Sequence, residues 1–450
     1  MDDTICAPAT PPAQSSIAVI RVSGPGTYGA LESIFSRAER LEPRRALFGS
    51  IHDRGRSVDD VIVVFYQGHS SYTGEDMAEI SCHGNPLIAG AIIRLLNGQG
   101  VRLAEPGEFT RRAFLNGKID LTGAEAINQI IAAQSEWEIE ASLRQMHGSL
   151  KLKIGEIRRM ITDFKADIEA CIDFPDEDID CATGEKAIVD AMGIQRAIED
   201  LLEGCRSGEK LCRGIDITIA GRPNVGKSSI LNLLLNRERA IVTGIPGTTR
   251  DVLREPFQIG GMHVNLIDTA GIDTPCDEIE RIGIDLSHRY IRSSSHIILV
   301  FDACAGFLET DRKLLATTAE KKRVILVNKI DAVQKHDVER MQQSIPTETI
   351  PFSAKNGTGT GELKRALEIL LREEFSPADR GFIADIRIIG LLEKGLETAS
   401  RVVRLVETES PVEIIAFELQ SLMESLAEIT GEITPDDVLD SVFSRFCIGK

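Results

Sequence analysis

At 450 residues, 27% charged and 42% hydrophobic, the chain has the make-up of a soluble globular protein of about two to four domains. Its formal net charge of −18 argues against a general nucleic-acid binder, which normally carries a basic footprint. No apolar run approaches the roughly 20 residues that cross a bilayer. No basic start followed by an apolar stretch marks a secretory signal, and nine cysteines without a C-x-x-C pair argue for a reducing cytosol over a disulfide frame or a zinc site.

Residues 1 to about 118 alternate short strand-like runs with turns. Residues 17–22 form one such run, ending at Ser23-Gly24-Pro25-Gly26. Residues 61–66 and 78–82 form two more, and residues 90–96 have the look of a helix. The pattern predicts a compact α/β domain. Arg111, Arg112 and Lys118 are a small candidate basic patch for RNA, against the blander reading of a solvated surface.

From about residue 119 the period changes. Leu150, Ile154, Ile157, Ile161, Phe164 and Ile168 place one apolar stripe along a helix that ends near Phe174-Pro175, where proline cannot continue it. Near the C-terminus Ile415, Leu419, Leu422, Leu426 and Ile429 repeat the same spacing. The simplest packing joins these two stripes as core. That predicts a discontinuous helical domain, roughly 119–212 plus 376–450, interrupted by a module spanning about 213–375.

The inserted module carries the chemistry. Gly221-Arg222-Pro223-Asn224-Val225-Gly226-Lys227-Ser228 fits G-x-x-x-x-G-K-[ST], preceded by a strand-like run (215–220) and followed by a helical one opening at Ser229. Backbone N–H groups of such a loop surround phosphate oxygens beside a helix N-terminus. Lys227 reaches the β- and γ-phosphates, and the Ser228 hydroxyl holds Mg²⁺. Asp268-Thr269-Ala270-Gly271 ends a second strand, where a carboxylate reaches Mg²⁺ and a glycine N–H the γ-phosphate. Asn328-Lys329-Ile330-Asp331 ends another, and a carboxylate in that N-K-x-D pattern accepts two N–H groups of guanine that adenine lacks. Ser353-Ala354-Lys355 stands where such domains back the base, and Thr248 and Thr249 stand where a switch threonine belongs. In order, these motifs predict a Ras-like P-loop GTPase domain.

Hydrolysis needs a group that orients water, and the residue after the D-x-x-G motif is Ile272 instead of glutamine. Asp277, Glu278 and Glu280 are the acidic candidates downstream, and spacing does not choose among them. No arginine finger is evident. The Asn224 oxygen, with carbonyls of the 243–248 loop, suits K⁺ held against the phosphates, which would supply positive charge to the transition state.

Gly221–Ser228, Gly247-Thr248-Thr249-Arg250-Asp251, Asp268–Gly271, Glu278–Gly283 and the terminal Phe446-Cys447-Ile448-Gly449-Lys450 together resemble the MnmE (TrmE) family of tRNA modification GTPases. Ala9–Pro12, Thr73–Asp76, Pro106–Lys118 and Ile172–Glu177 agree, so the resemblance covers nearly the whole chain in the family's domain order. It implies an N-terminal domain (1–118) that binds a tetrahydrofolate derivative, 5,10-methylene- or 5-formyl-tetrahydrofolate, and forms a homodimer. A helical domain (119–212 and 376–450) and a GTPase domain (213–375) follow.

The resemblance further implies a cytoplasmic heterotetramer with the flavoprotein MnmG (GidA). The complex adds an aminomethyl or carboxymethylaminomethyl group at C5 of wobble uridine 34 in certain tRNAs, and K⁺-activated GTP hydrolysis drives its conformational cycle. A GTP-regulated assembly or ribosome-associated switch is the alternative, but such a factor needs no folate pocket.

Carried over residue by residue, Glu280 becomes the water-orienting group. The nucleotide set is Asn224, Val225, Gly226, Lys227, Ser228, Ser229, Thr243, Gly244, Ile245, Pro246, Gly247, Thr248, Thr249, Asp268, Thr269, Ala270, Gly271, Asn328, Lys329, Asp331, Ser353, Ala354 and Lys355. Ser228 and Thr249 become Mg²⁺ ligands; Asn224, Thr243, Ile245 and Thr248 become K⁺ ligands. Arg21, Glu79, Lys118 and Lys450 become folate contacts, as suits a ligand with a glutamate tail and a pterin edge. Two positions depart from the family pattern. Asn85 replaces a glycine and is expected to tolerate positive φ, and Asp273 replaces an arginine.

Overall fold

The structure, a computed structural model, describes residues 3–173, 184–237, 254–268, 294–374 and 382–450. Its residues assort into two compact units, one of Met1–Ile131, Ser142–Leu201 and Ile386–Lys450, the other of Ala132–Ala141 and Leu202–Asp385.

In the first unit, strands β1 (Ile5–Pro8), β2 (Ile17–Ser23), β3 (Phe35–Ser36), β4 (Ala46–Asp53), β5 (Arg56–Tyr66), β6 (Met77–His83) and β7 (Arg102–Leu103) form a sheet in the order β3-β4-β5-β6-β2-β1-β7. The pairs are antiparallel except β1 with β7. Side chains alternate between faces along a strand. Ile20, Val22, Val61, Val63 and Ile80 therefore enter the core with Leu31, Ile34, Ile92 and Leu96 from the helices Thr27–Ile34 and Pro86–Gly98. Arg21 and Glu79, one residue out of that phase, sit opposite each other across β2 and β6. The second of these helices begins earlier than the expected residue 90, because Asn85 caps it with its side chain accepting the Leu87 N–H at 2.9 Å. Asn85 has φ −120°, so its role is capping; the positive φ expected there is not used.

Every residue of the two apolar stripes is buried. The helix Ser149–Asp173 packs on Val412–Thr430, which also packs on Ile386–Glu407. Arg387 ties this bundle to Glu125 of the helix Leu121–Ala132 through paired contacts of 2.8 and 2.9 Å.

In the second unit, β8 (Ile215–Ala220), β9 (Arg254–Ile259), β10 (Met262–Asp268), β11 (His296–Asp302), β12 (Lys322–Asn328) and β13 (Ile350–Pro351) are ordered β13-β12-β11-β8-β10-β9. All neighbours run parallel except β9 with β10. The near-continuous apolar runs of β11 and β12 suit strands buried on both faces, and β8, with Ile215, Ile217 and Ile219 alternating with Asp216, Thr218 and Ala220, is buried at all but Asp216. Trp137 packs against this core, and its backbone N–H donates to the Gly261 carbonyl at 3.3 Å. The α/β multidomain class read from the sequence is the class observed. Among the described residues, no helix is long and apolar enough to cross a membrane.

Candidate functional site

Ligands of open α/β sheets bind beyond the carboxyl ends of the parallel strands. Three candidate motifs converge there. β8 leads into the glycine-rich loop, which enters the helix Lys227–Arg237 at the lysine itself. The loop turns on two left-handed residues, Asn224 at φ 61° and Gly226 at φ 99°. Glycine is required at the second, because a Cβ there would lie 2.4 Å from the Asn328 side-chain nitrogen. Lys227 folds its Nζ under the loop, 3.0 Å from the Gly221 carbonyl and 3.1 Å from that of Arg222. Ser228 follows in the first helical turn, and Ser229 lines the adjoining cavity.

That cavity, about 420 Å³, is bounded by Gly226, Ser229, Asn328, Lys329, Asp331, Ala332, Ala354 and Lys355. Asn328, buried at the end of β12, donates to the Val225 carbonyl at 2.8 Å and accepts the Ala354 N–H at 3.0 Å. Lys329, at φ 67°, sends its Nζ to the Asn224 carbonyl and to Asp302 Oδ2, each at 2.7 Å. The exposed Asp331 carboxylate accepts the Ser353 hydroxyl at 2.6 Å, and that bond holds its pKa below the ordinary value. A fixed, ionised carboxylate at the mouth of a cavity is what two guanine N–H donors require.

Asp268 ends β10 beside β8, where the sequence places it. Glu280, Thr243, Gly244, Ile245, Pro246, Gly247, Thr248, Thr249, Thr269, Ala270 and Gly271 lie outside the described residues, as do Asp273, Asp277 and Glu278.

A second cluster forms in the first unit. Arg21 Nε lies 3.0 Å from Glu79 Oε1, and its guanidinium stands 5.6 Å from the Tyr72 ring centre. Arg21 Nη1 also reaches the Gly449 carbonyl at 3.5 Å, bringing the C-terminal residues to the same place. Burial, then the charge of Arg21, pushes the Lys450 ammonium below its usual pKa. Lys118 donates to the His69 carbonyl at 2.6 Å, in the loop that carries Tyr72. Burial, then the Glu79 carboxylate, raises the Tyr66 hydroxyl. Cys447 is exposed.

Comparison with known proteins decides the family. A family model described as the MnmE helical domain matches residues 121–447, and one described as the GTP-binding protein TrmE N-terminus matches residues 4–118. The chain is 38% identical over 451 residues to the tRNA modification GTPase MnmE of Thermotoga maritima and 38% identical over 452 residues to that of Aquifex aeolicus, covering 100% of each chain in both cases. The chain belongs to the MnmE family of tRNA modification GTPases.

Among solved structures, Aquifex aeolicus Era bound to GDP·AlF4⁻ is 24% identical and covers 41% of this chain and 66% of its own, with a TM-score of 0.29. The G domain of the Thermotoga maritima FeoB iron transporter is 25% identical, covering 35% and 98%, with a TM-score of 0.27.

Not every candidate of the sequence survives in this MnmE family member. Arg112 is no basic patch. Its side chain is fully buried and contacts Asp3 at 2.8 Å, Glu108 at 2.9 Å and Glu75 at 3.2 Å. Arg111 pairs with Asp440 at 2.9 Å. Glu108 lies one helical turn away, but Asp3, Glu75 and Asp440 are distant in sequence, so a local charge count reveals only part of the pairing. Sequence reasoning also missed Asp302, Tyr66 and Tyr72. Each lies outside a recognisable motif and joins its site only through sheet register or loop packing.

Proposed function

We propose that this chain is the GTP-hydrolysing member of a cytoplasmic tRNA-modifying heterotetramer, in which a homodimer of the chain joins the flavoprotein MnmG (GidA). The complex adds an aminomethyl or carboxymethylaminomethyl group at C5 of wobble uridine 34, with a tetrahydrofolate derivative as one-carbon donor. GTP hydrolysis drives the conformational cycle and takes no part in the chemistry on uridine. For the nucleotide-binding part of this reading, the carrying observation is the Asn328 side chain, which binds the phosphate loop and the base loop to each other. Similarity along the full length of curated relatives supports the tRNA assignment.

The domain limits proposed are 1–118, 119–212 with 376–450, and 213–375. Ser228 and Thr249 would hold Mg²⁺; Asn224, Thr243, Ile245 and Thr248 would hold K⁺. Of these, Asn224 in the loop and Ser228 in the first helical turn are among the described residues, and both offer the oxygen donors that hard cations take. When bound, the two ions offset the charge that develops on the phosphates. Ile272 carries no polar group, and the family resemblance gives the attacking water to Glu280. Arg21 and Lys450 fit the carboxylates of a folate, Glu79 its pterin N–H groups, and the Tyr72 ring offers a flat face; Lys118 borders the same loop.

The test is nucleoside mass spectrometry on tRNA from a strain lacking the gene. The expected result is loss of the 5-aminomethyl-type wobble uridine, restored by the wild-type gene and not by Glu280→Ala. Unchanged wobble uridine would leave a GTPase with another client. Steady-state rates in KCl should exceed those in NaCl; equal rates would remove the K⁺ assignment of Asn224.

A further inference from the structure

We propose that Asp302 is a positioning residue for the base: it anchors the Lys329 ammonium so that the lysine stem forms a wall of the base cavity and Asp331 stays open to the guanine edge. The proposal rests on the guanine reading of that cavity.

Lys329 is one of the cavity's lining residues, yet its Nζ is drawn to Asp302 Oδ2 and to the Asn224 carbonyl, each at 2.7 Å. A lysine side chain is a flexible four-carbon stem ending in a point charge. Left loose, that charge has a competing partner two residues along, the exposed carboxylate of Asp331. Pairing there would occupy the oxygens that guanine N–H groups need.

Asp302 is built to outcompete it. Asp302 is the last residue of β11, in register with Asn328 of β12, so it stands on the sheet. Its Oδ1 accepts the Cys304 N–H at 2.9 Å, and its own carbonyl accepts the Gly306 N–H at 3.1 Å. Its side chain is 12% exposed, where solvent screens the ion pair less than it would at Asp331. Burial pushes the carboxyl upward, but the Lys329 ammonium and the Cys304 N–H pull it down further, so it stays charged. With the ammonium held on the far side, the apolar part of the stem is left to face a flat ring. Preorganised contacts of this kind raise affinity by removing an ordering cost from binding.

The experiment uses the full-length protein with a fluorescent GDP analogue, and inorganic triphosphate as a probe that binds the phosphate loop alone. Asp302→Asn keeps an acceptor for Cys304 and removes the charge. It is expected to release the GDP analogue faster and bind it about tenfold more weakly, a loss of the size a charge-assisted contact carries. Triphosphate binding should not change, and D302N should cost nothing further in a Lys329→Ala background. D302E, which keeps the charge, should bind within about threefold of wild type. If D302N does not fold, D302S carries the same test, its hydroxyl still able to accept from Cys304. Wild-type GDP affinity in D302N, an equal loss of triphosphate, or an equal loss in the K329A background would each overturn the proposal. Wild-type protein that binds ADP as tightly as GDP would overturn the guanine reading, and this proposal with it.

Discussion

The side-chain nitrogen of Asn328 donates to the Val225 carbonyl at 2.8 Å, which makes one buried amide the tie between β12 and the phosphate loop. The oxygen of the same amide accepts the Ala354 N–H, so the base loop hangs from it as well. Replacement by alanine takes the side-chain partner from a buried carbonyl and from a partly buried N–H. Asn328→Ala should therefore cost about 1–3 kcal/mol in stability and more than tenfold in GDP affinity. Thermal unfolding with and without GDP separates the two, because ligand stabilisation should shrink more than the intrinsic midpoint.

Gly226→Ala should abolish nucleotide binding. The substitution places a methyl 2.4 Å from Asn328 Nδ2 at a backbone φ of 99° that side chains rarely adopt. Either the loop moves or the Asn328 tie breaks. Equilibrium titration with a fluorescent GDP analogue checks this, and wild-type affinity would mean that the loop is free to adjust.

Local pattern revealed much of this molecule. The stripes Leu150–Ile168 and Ile415–Ile429 were legible because helix period maps directly onto one buried face. The phosphate and base motifs were legible because their function constrains neighbours in sequence. Arg112 was misread for the opposite reason: beyond Glu108, one helical turn away, the charges that neutralise it come from Glu75 and Asp3, 37 and 109 positions away. Asp302 was invisible on the same ground, since only the pairing of β11 with β12 sets it beside Lys329.

The Arg112 cluster should make the first unit acid-sensitive. Burial pushes Glu108 upward, but Arg102, the Glu105 N–H and Arg112 pull it below its unfolded value near 4.5. Asp3 is lowered as well, chiefly by its hydrogen bond from Arg102. Stability from such depressed carboxyls is complete above their unfolded values and is lost as pH falls through the folded ones. The melting temperature should therefore drop below about pH 4.5. Arg112→Met should flatten that dependence in part and cost about 1.5–3 kcal/mol at pH 7, because Glu108 loses its buried Arg112 contact while keeping its pair with Arg102. Parallel acid profiles of the two variants would refute the assignment.

Arg387 meets Glu125 in a two-point contact and also donates to the carbonyls of Glu428 and Ile429 at 3.1 and 3.2 Å, at the end of the helix Val412–Thr430. A guanidinium at a helix C-terminus is favoured by the helix dipole, and the carboxylate fixes its direction. Removing the carboxylate leaves a mostly buried cation without its counter-charge, held by carbonyl oxygens. Glu125→Ala should lose about 3 kcal/mol or more, measured by denaturant unfolding. A loss below about 0.5 kcal/mol would mean that the pair is no more than a surface contact.

Arg21 separates folding from ligand binding. Its pair with Glu79 is partly exposed, at 19% and 28% of the two side chains, so its loss should cost under about 1 kcal/mol of stability. Its guanidinium, however, stands between the Tyr72 ring and the C-terminal residues, where an anionic ligand would need it. Arg21→Ala should leave the melting temperature within a few degrees of wild type and weaken 5-formyltetrahydrofolate by more than about tenfold in calorimetry. Glu79→Ala tests the other half of the pair. If the carboxylate serves only to hold Arg21, a glutamate-free variant keeps most of the affinity; if it reads the pterin edge, the loss is comparable. Wild type and Arg21→Ala that are equally inert towards the folate would remove the ligand assignment and leave the pair as a cross-strand contact.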